Sequence, residues 1–331
     1  MKITKIHIEK FRGFKNENLS LGSLLTGIAG QNGTQKSTLL GIITQTFTLK
    51  ENDPMRAEKP LCGGSYISAF KDKFRLSPVF DKQKDHEWTI SFDSGIADFT
   101  VESIKRSGSP NVRFWKKGAR KEGDGYLSFP TIFLSLKRLV PTAEEVKVLT
   151  DDTLLTAEEL EEFKLLHNKI LITQTPISSA TAITSKNKRS LGVSTNLYDW
   201  NQNSMGQDNL GKIILALFSF KRLKDKYPGQ YKGGILAIDE LDATMYPASQ
   251  VELLKVLRKY AYKLKLQILF TTHSMSLLKA MDALIKETNK KNETANQLKI
   301  IYLKRVDENI EIKQDIINDL KFLDIKFPLI L

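Results

Sequence analysis

The chain has 331 residues, 41% hydrophobic and 27% charged, which excludes a disordered chain and leaves room for one large α/β domain or two ordinary ones. No apolar run approaches the ~20 residues of a membrane-spanning helix, and the alternating start has no signal-peptide core, so a cytoplasmic protein without membrane contact is expected. Cys62 stands alone, which leaves no disulfide within the chain, and the net charge of +12 suits a polyanion such as nucleic acid without naming one.

Residues 2–10 alternate as a strand, Phe11-Arg12-Gly13-Phe14 forms a turn, and a second strand is expected near 17–22. Leu24–Ala29 then leads into Gly30-Gln31-Asn32-Gly33-Thr34-Gln35-Lys36-Ser37-Thr38, followed by a helix over Leu39–Phe47. Strand, glycine loop and helix make a P-loop. Its amides and the helix N-terminus would cradle phosphates, Lys36 would meet the β/γ oxygens, and Ser37 would bind Mg²⁺. One position departs from G-x-x-x-x-G-K-[ST], because Gln35 stands where the second glycine belongs. A side chain there crowds the phosphates, and a left-handed backbone would cost about 1–2 kcal/mol. ATP binding is expected; fast turnover is not.

Residues 50–86 read as irregular, and Trp88–Phe92, Phe99–Ile104, Val112–Trp115 and Thr131–Leu136 as strands of an antiparallel meander. Residues 105–121 carry seven basic side chains around Phe114 and Trp115. Such a stretch binds nucleic acid when its rings face outward, and is a solvated hairpin when they pack inward. Thr156-Ala-Glu-Glu159 is a capping box opening a helix to about His167. Residues 186–189 form a small basic loop. Ser204 and Gln207 have the same capping spacing before the apolar helix Gly211–Leu223, although a serine and glycine at a helix start also suit a phosphate held by another subunit.

The run Gly233-Gly234-Ile-Leu-Ala-Ile-Asp239-Glu240 reads as a buried parallel strand delivering two carboxylates to the C-terminal edge of a sheet. One carboxylate could hold Mg²⁺ through water while its neighbour polarises an attacking water. Taken alone, the pair also fits a strand that ends in solvent. Pro247 opens the next helix, whose apolar stripe from Leu253 to Leu264 is core. Gln267–Phe270 then ends at Thr271-Thr272-His273-Ser274 on the same edge, which completes a βαβ unit. The chain closes with a helix over Ser274–Lys286, a polar loop and a hairpin at Asp307-Glu308-Asn309. Its apolar end, Phe322 to Leu331, packs on this domain or leads into more protein. There is no internal repeat and no heptad run long enough for a coiled coil.

In this order the pieces resemble the ABC-type ATPase heads of the SMC, RecF and OLD group. Phe11–Phe14 looks like the group's N-terminal signature, and Gly30–Thr38 like its Walker A loop with the Gln35 departure. Asn203-Ser204-Met205-Gly206-Gln207 looks like a variant of its L-S-G-G-Q signature. Ile235–Glu240 resembles Walker B, Leu241–Thr244 the D-loop, and His273 the switch histidine. The resemblance implies an α/β P-loop ABC-type head with a mostly parallel core sheet, an antiparallel β subdomain and a helical signature lobe. It implies a single head over 1–331, with its core lobe at 1–140 and 230–331 and its signature lobe at 141–229.

By residue, it implies that Lys36 and the loop from Gly30 through Asn32, Gly33, Thr34 and Gln35 to Thr38 bind phosphates. Ser37 and Asp239 would hold Mg²⁺, Glu240 would orient the attacking water, and His273 would sense the γ-phosphate. Arg12 would lie near the nucleotide. Ser204 and Gly206 would cap ATP on a second subunit, so the site is complete only in a homodimer or higher homo-oligomer. No Q-loop glutamine is identifiable; Phe70–Pro78 occupies roughly its place.

The short head without a coiled coil argues against SMC proteins proper. Gly30–Ser37, Phe133–Pro141 and Ser204–Gly211 look most like the PtuA ATPase subunits of Septu-type anti-phage systems, which implies a nuclease partner. The alternatives are a non-hydrolysing ATP sensor that holds an effector, a RecF-type repair ATPase, and the nucleotide-binding subunit of a transporter. The Phe11–Phe14 opening, the degenerate signature and the missing glutamine disfavour the last.

Overall fold

The computed structural model describes residues 1–66, 73–93, 95–105, 108, 112–119, 124–140, 147–185, 189–290 and 296–314. The basic loop at 186–188, parts of the basic stretch at 106 and 120–121, and the apolar end at 322–331 lie outside them. The chain begins with strands β1 (Ile3–Phe11), β2 (Phe14–Ser20) and β3 (Leu25–Gly30), then helix α1 (Lys36–Thr44). Strands β4 (Phe47–Thr48), β5 (Glu87–Phe92), β6 (Phe99–Lys105), β7 (Val112–Lys116), β8 (Leu127–Ser128) and β9 (Thr131–Leu134) follow. Next come β10 (Leu149–Asp151), α2 (Ala157–Leu171), β11 (Ser179–Thr184), β12 (Arg189–Ser194) and α3 (Met205–Lys226). The last elements are β13 (Gly234–Ile238), α4 (Pro247–Lys263), β14 (Leu266–Thr272), α5 (Met275–Lys290), β15 (Leu298–Val306) and β16 (Asn309–Gln314).

A six-stranded sheet, ordered β16-β15-β3-β14-β13-β9, is parallel except at its β16 edge. Every residue of β13 and β14 is buried, as expected of strands covered on both faces. Alternate side chains of β13 serve opposite cores. Leu236 and Ile238 pack with α3, α4 and α5, while Ile235 and Ala237 pack with α1 and the second sheet. Each fully buried Ile or Leu contributes about 1.5–3 kcal/mol. The second sheet is antiparallel, ordered β2-β1-β5-β6-β7, and lies against the far side of α1. Gln267, buried in β14, joins the sheets: its amide accepts from Ile3 N–H (3.0 Å) and donates to the carbonyls of Ile3 (2.8 Å) and Gly22 (2.9 Å).

Strand β9 departs from expectation. Thr131–Leu134 alternates and follows the meander in sequence, yet it pairs parallel with β13, with Leu134 opposite Ile238. Local periodicity cannot choose between the two sheets; the long-range pairing does. The aromatic residues of the basic stretch pack inward. Phe114 lies within an aromatic cluster with Phe11, Phe74, His86 and Trp88, and Trp115 sits beneath the Arg113 guanidinium, 3.8 Å from its ring centre. The hairpin therefore presents neither ring to a nucleic acid. Between β9 and α3 the chain adds a three-stranded sheet, β10-β11-β12, and α3 starts against β12.

Candidate functional site

The register brings the carboxyl ends of β3, β14, β13 and β9 to one edge, because Ala29 lies opposite Thr272, Phe270 opposite Ile238, and Ile238 opposite Leu134. At that edge stand the glycine loop, His273, Asp239-Glu240 and the segment 135–138. Gly30 ends β3 where a Cβ would meet the Leu303 carbonyl at 2.6 Å, and Gly33 (φ +79°) faces open space. Asn32 is exposed, and the buried Thr34 hydroxyl donates to Gln31 O (2.8 Å). Lys36 is the first residue of α1. Its ammonium donates to the carbonyls of Gly30 and Gln31, both at 2.9 Å. Burial lowers its pKa, with Glu240, Asp239 and Asp242 acting in the opposite direction.

Gln35 immediately precedes α1 with φ +63°, so the departure from glycine is accompanied by the left-handed backbone that glycine favours. Its side chain runs toward the β1–β2 turn. A Cβ on Gly13 would lie 2.8 Å from Gln35 Nε2 and 2.7 Å from Ile310, so this packing requires glycine at 13. Gln35 Oε1 is buried without a hydrogen-bond partner among the described residues.

Ser37 and Asp239, 202 residues apart, meet directly: Ser37 Oγ donates to Asp239 Oδ1 at 2.9 Å. Thr271, which sequence reasoning passed over, fixes both members of the acidic pair. Its hydroxyl donates to Asp239 Oδ1 (2.7 Å) and accepts the N–H of Glu240 (2.6 Å). Glu240 itself has φ +50°, a turn that directs the chain away from the strand. A hydroxyl and a carboxylate are hard oxygen donors of the kind that Mg²⁺ uses with phosphates and water, and here the pair stands beside the glycine loop. Among the described residues no group of three or more His, Cys, Asp or Glu is placed to hold a metal ion.

Arg12 (φ +51°) forks onto the buried Asp81 with both contacts at 3.1 Å, and reaches Thr38 Oγ1 at 3.4 Å. Burial opposes ionisation of Asp81. Hydrogen bonds from Arg12, the Ser77 amide and His86 outweigh it and hold the carboxyl below its ordinary range. His86 donates through Nε2 to the Asp81 carboxylate (3.0 Å) and meets Ser103 Oγ through Nδ1 (3.1 Å), and its pKa is lowered by burial despite Asp81.

His273 is exposed at the end of β14, and its N–H lies 3.4 Å from Asp242 Oδ1. Ser204 forms the capping box, accepting from Gln207 N–H (3.3 Å) while its own N–H donates to Gln207 Oε1 (2.8 Å). Gly206 lies against the turn after Glu240, where a Cβ would stand 2.6 Å from Thr244 O. The contacts of Ser204 and Gly206 thus run to their own helix and that turn, not to the loop of Lys36.

Part of the segment expected at the place of the missing glutamine meets Arg12, whose Nη2 donates to Arg75 O at 2.7 Å while Nη1 reaches Thr38. Residues 70–72 are outside the described residues, and the neighbours behind them pack on α1: Lys73 Nζ donates to Thr44 O, and Phe74 meets Gly41. The segment that flanks Asp239-Glu240 is 135–138, after β9. It carries Arg138, buried at 2% exposure, whose guanidinium donates to Glu240 O (2.7 Å), Asn209 Oδ1 (2.8 Å), Ser135 O (3.1 Å) and Leu134 O (3.3 Å). Burial pulls its pKa down to about 10, with Asp239, Glu240 and Asp242 opposing, so it stays charged at neutral pH.

A family model described as AAA ATPase domain matches residues 1–118 and 135–278. Among solved structures the chain is similar to the Smc head domain with a coiled coil and joint from Pyrococcus yayanosii, at 11% identity and TM-score 0.55, covering 98% of this chain and 99% of that one. It is similar to an SmcHead bound to the C-winged helix domain of ScpA (14%, TM-score 0.54, covering 95% and 97%). It is also similar to the SMC head domain from Thermotoga maritima (14%, TM-score 0.50, covering 95% and 99%). At these identities the likeness is one of fold. No curated protein matches the sequence. No helix among the described residues is long and apolar enough to cross a membrane.

Proposed function

The chain belongs to the AAA ATPase domain family, and from that premise we propose that it binds ATP at Gly30–Thr38 and hydrolyses it slowly with Glu240. The observation that carries this reading is the Ser37–Asp239 hydrogen bond, which joins the two halves of a nucleotide site next to a glutamate whose N–H is anchored by Thr271. Lys36 turns from the loop carbonyls to the β/γ oxygens, and the amides from Gly30 to Thr38 hold the phosphates. Ser37 and Asp239 would hold Mg²⁺, which would neutralise phosphate charge. Glu240 orients and deprotonates the attacking water, His273 lies beside the γ-phosphate, and Arg12 steadies the loop through Thr38.

Ser204 and Gly206 reach the ATP of a second subunit, so that each nucleotide is completed by two chains. Met205 (40% exposed) and Tyr246 (75%) support this, since they place apolar surface beside the signature and the D-loop. We further propose the one-head organisation with its core and signature lobes, a cytoplasmic setting, and a role like that of PtuA: an ATP-gated subunit of an anti-phage complex with a nuclease partner. A nucleic acid would be met through that complex.

A second reading, an ATP sensor with negligible turnover, is favoured by Gln35 at φ +63°. Gln35→Gly separates the two. Relief of the left-handed backbone strain, about 1–2 kcal/mol, and release of the loop from the packing of Gln35 against Gly13 and Ile310 are expected to raise kcat several-fold in an ATPase. Steady-state phosphate release measures it. If both proteins retain ATP and neither releases phosphate, the sensor reading stands.

A further inference from the structure

We propose that Arg138 and Asn209 are positioning residues that tie the seat of the helix α3 start to the aim of Glu240, so that hydrolysis follows engagement of that helix start. This rests on the assignment of Glu240 and of Ser204–Gly206 made above.

Glu240 sits in a left-handed turn, a conformation a glutamate keeps only when its surroundings hold it. Both of its backbone polar groups are held from outside the turn: the N–H by Thr271 and the carbonyl by Arg138. The four acceptors of Arg138 are neutral carbonyl oxygens, so a buried positive charge is spent on geometry rather than on an ion pair. The rigid fork of a guanidinium lets one side chain meet three segments: the end of β9, the turn at Glu240, and α3.

Asn209, fully buried one helical turn after Gly206, completes the link. Its Oδ1 accepts from Arg138, and its Nδ2 donates to Ala243 O at 3.0 Å. Three residues earlier on the same helix face, Gly206 packs onto Thr244 O. The start of α3 and the turn 240–244 are therefore one polar unit. A displacement of Ser204–Gly206 by a partner's nucleotide must either carry Glu240 with it or break these bonds.

The test compares Asn209→Ala and Arg138→Lys with Ser190→Ala. Ser190 also holds the first turn of α3, through Asp208 O, but ties it to β12 instead. Two quantities are read: amide hydrogen exchange of 240–245 without nucleotide, and kcat beside ATP affinity. Asn209→Ala and Arg138→Lys are expected to speed exchange there about tenfold and to lower kcat about 10–100-fold, with affinity within about threefold. Ser190→Ala should change neither selectively. In a cycle with Ser204→Ala, the kcat losses should fall short of additive, since both lie on one path. Unchanged exchange at 240–245, or unchanged kcat, in both strut variants overturns the proposal. A wild-type protein that releases no phosphate overturns the ATPase reading instead, while the exchange comparison still decides the strut. If Asn209→Ala fails to fold, Arg138→Lys, which keeps the charge and loses the fork, decides between the two outcomes by itself.

Discussion

Glu240→Gln is expected to lower ATP turnover at least about 100-fold while leaving ATP affinity nearly unchanged. The glutamine keeps the shape of the side chain and loses the group that takes the proton of water. The backbone that aims it does not change: Thr271 holds the N–H and Arg138 the carbonyl, and neither bond involves the carboxylate. In the proposed site ATP is bound by Lys36, Ser37 and the loop amides, none of which the substitution replaces. Phosphate release and nucleotide titration on the same preparation separate the two effects. Loss of binding in step with loss of turnover would show that Glu240 shapes the site rather than acting in the chemical step.

Lys36→Ala is expected to do the reverse, weakening ATP binding at least about 100-fold through loss of two charge-assisted contacts worth about 1.5–3 kcal/mol each. Lys36 is buried at the mouth of the loop, and in the free protein its ammonium donates to Gly30 O and Gln31 O. Among the described residues only these two backbone carbonyls lose a partner with the side chain gone, so the fold should survive. Titration with a fluorescent ATP analogue measures the loss, and an unchanged thermal transition checks the fold.

Much of this arrangement was legible in the sequence because it is encoded locally. The glycine loop before α1, the continuous apolar runs of β13 and β14, and the carboxylates and histidine at their ends each follow from a short stretch. The capping box at Ser204 was legible for the same reason. What local pattern could not supply was partnership across the chain. Strand β9 alternates like its predecessors, and only its pairing with β13 separates it from the antiparallel sheet.

Misplacing β9 concealed the segment beside Asp239-Glu240, and with it Arg138, which in sequence is one basic residue among many. Asn209 and Thr271 were hidden because a buried amide or hydroxyl looks like any other polar residue on a helix or strand. The signal that could have found Arg138 was its place two residues before an apolar break at Val140-Pro141, just past an apolar strand. Gln35 was the opposite case: its departure from glycine was visible, and the left-handed backbone follows from its neighbours' geometry. The direction of its side chain, toward Gly13 and Ile310, depends on the β15–β16 hairpin some 275 residues away and was not legible.

The measurement that bears most directly on a nucleotide shared between two chains is the solution mass of Glu240→Gln by light scattering, with and without Mg-ATP. The expected result is a dimer, or a higher even multiple, that forms with ATP and is lost when Ser204→Ala is added. A protein that binds ATP tightly yet keeps the same mass with and without it would contradict the two-subunit site.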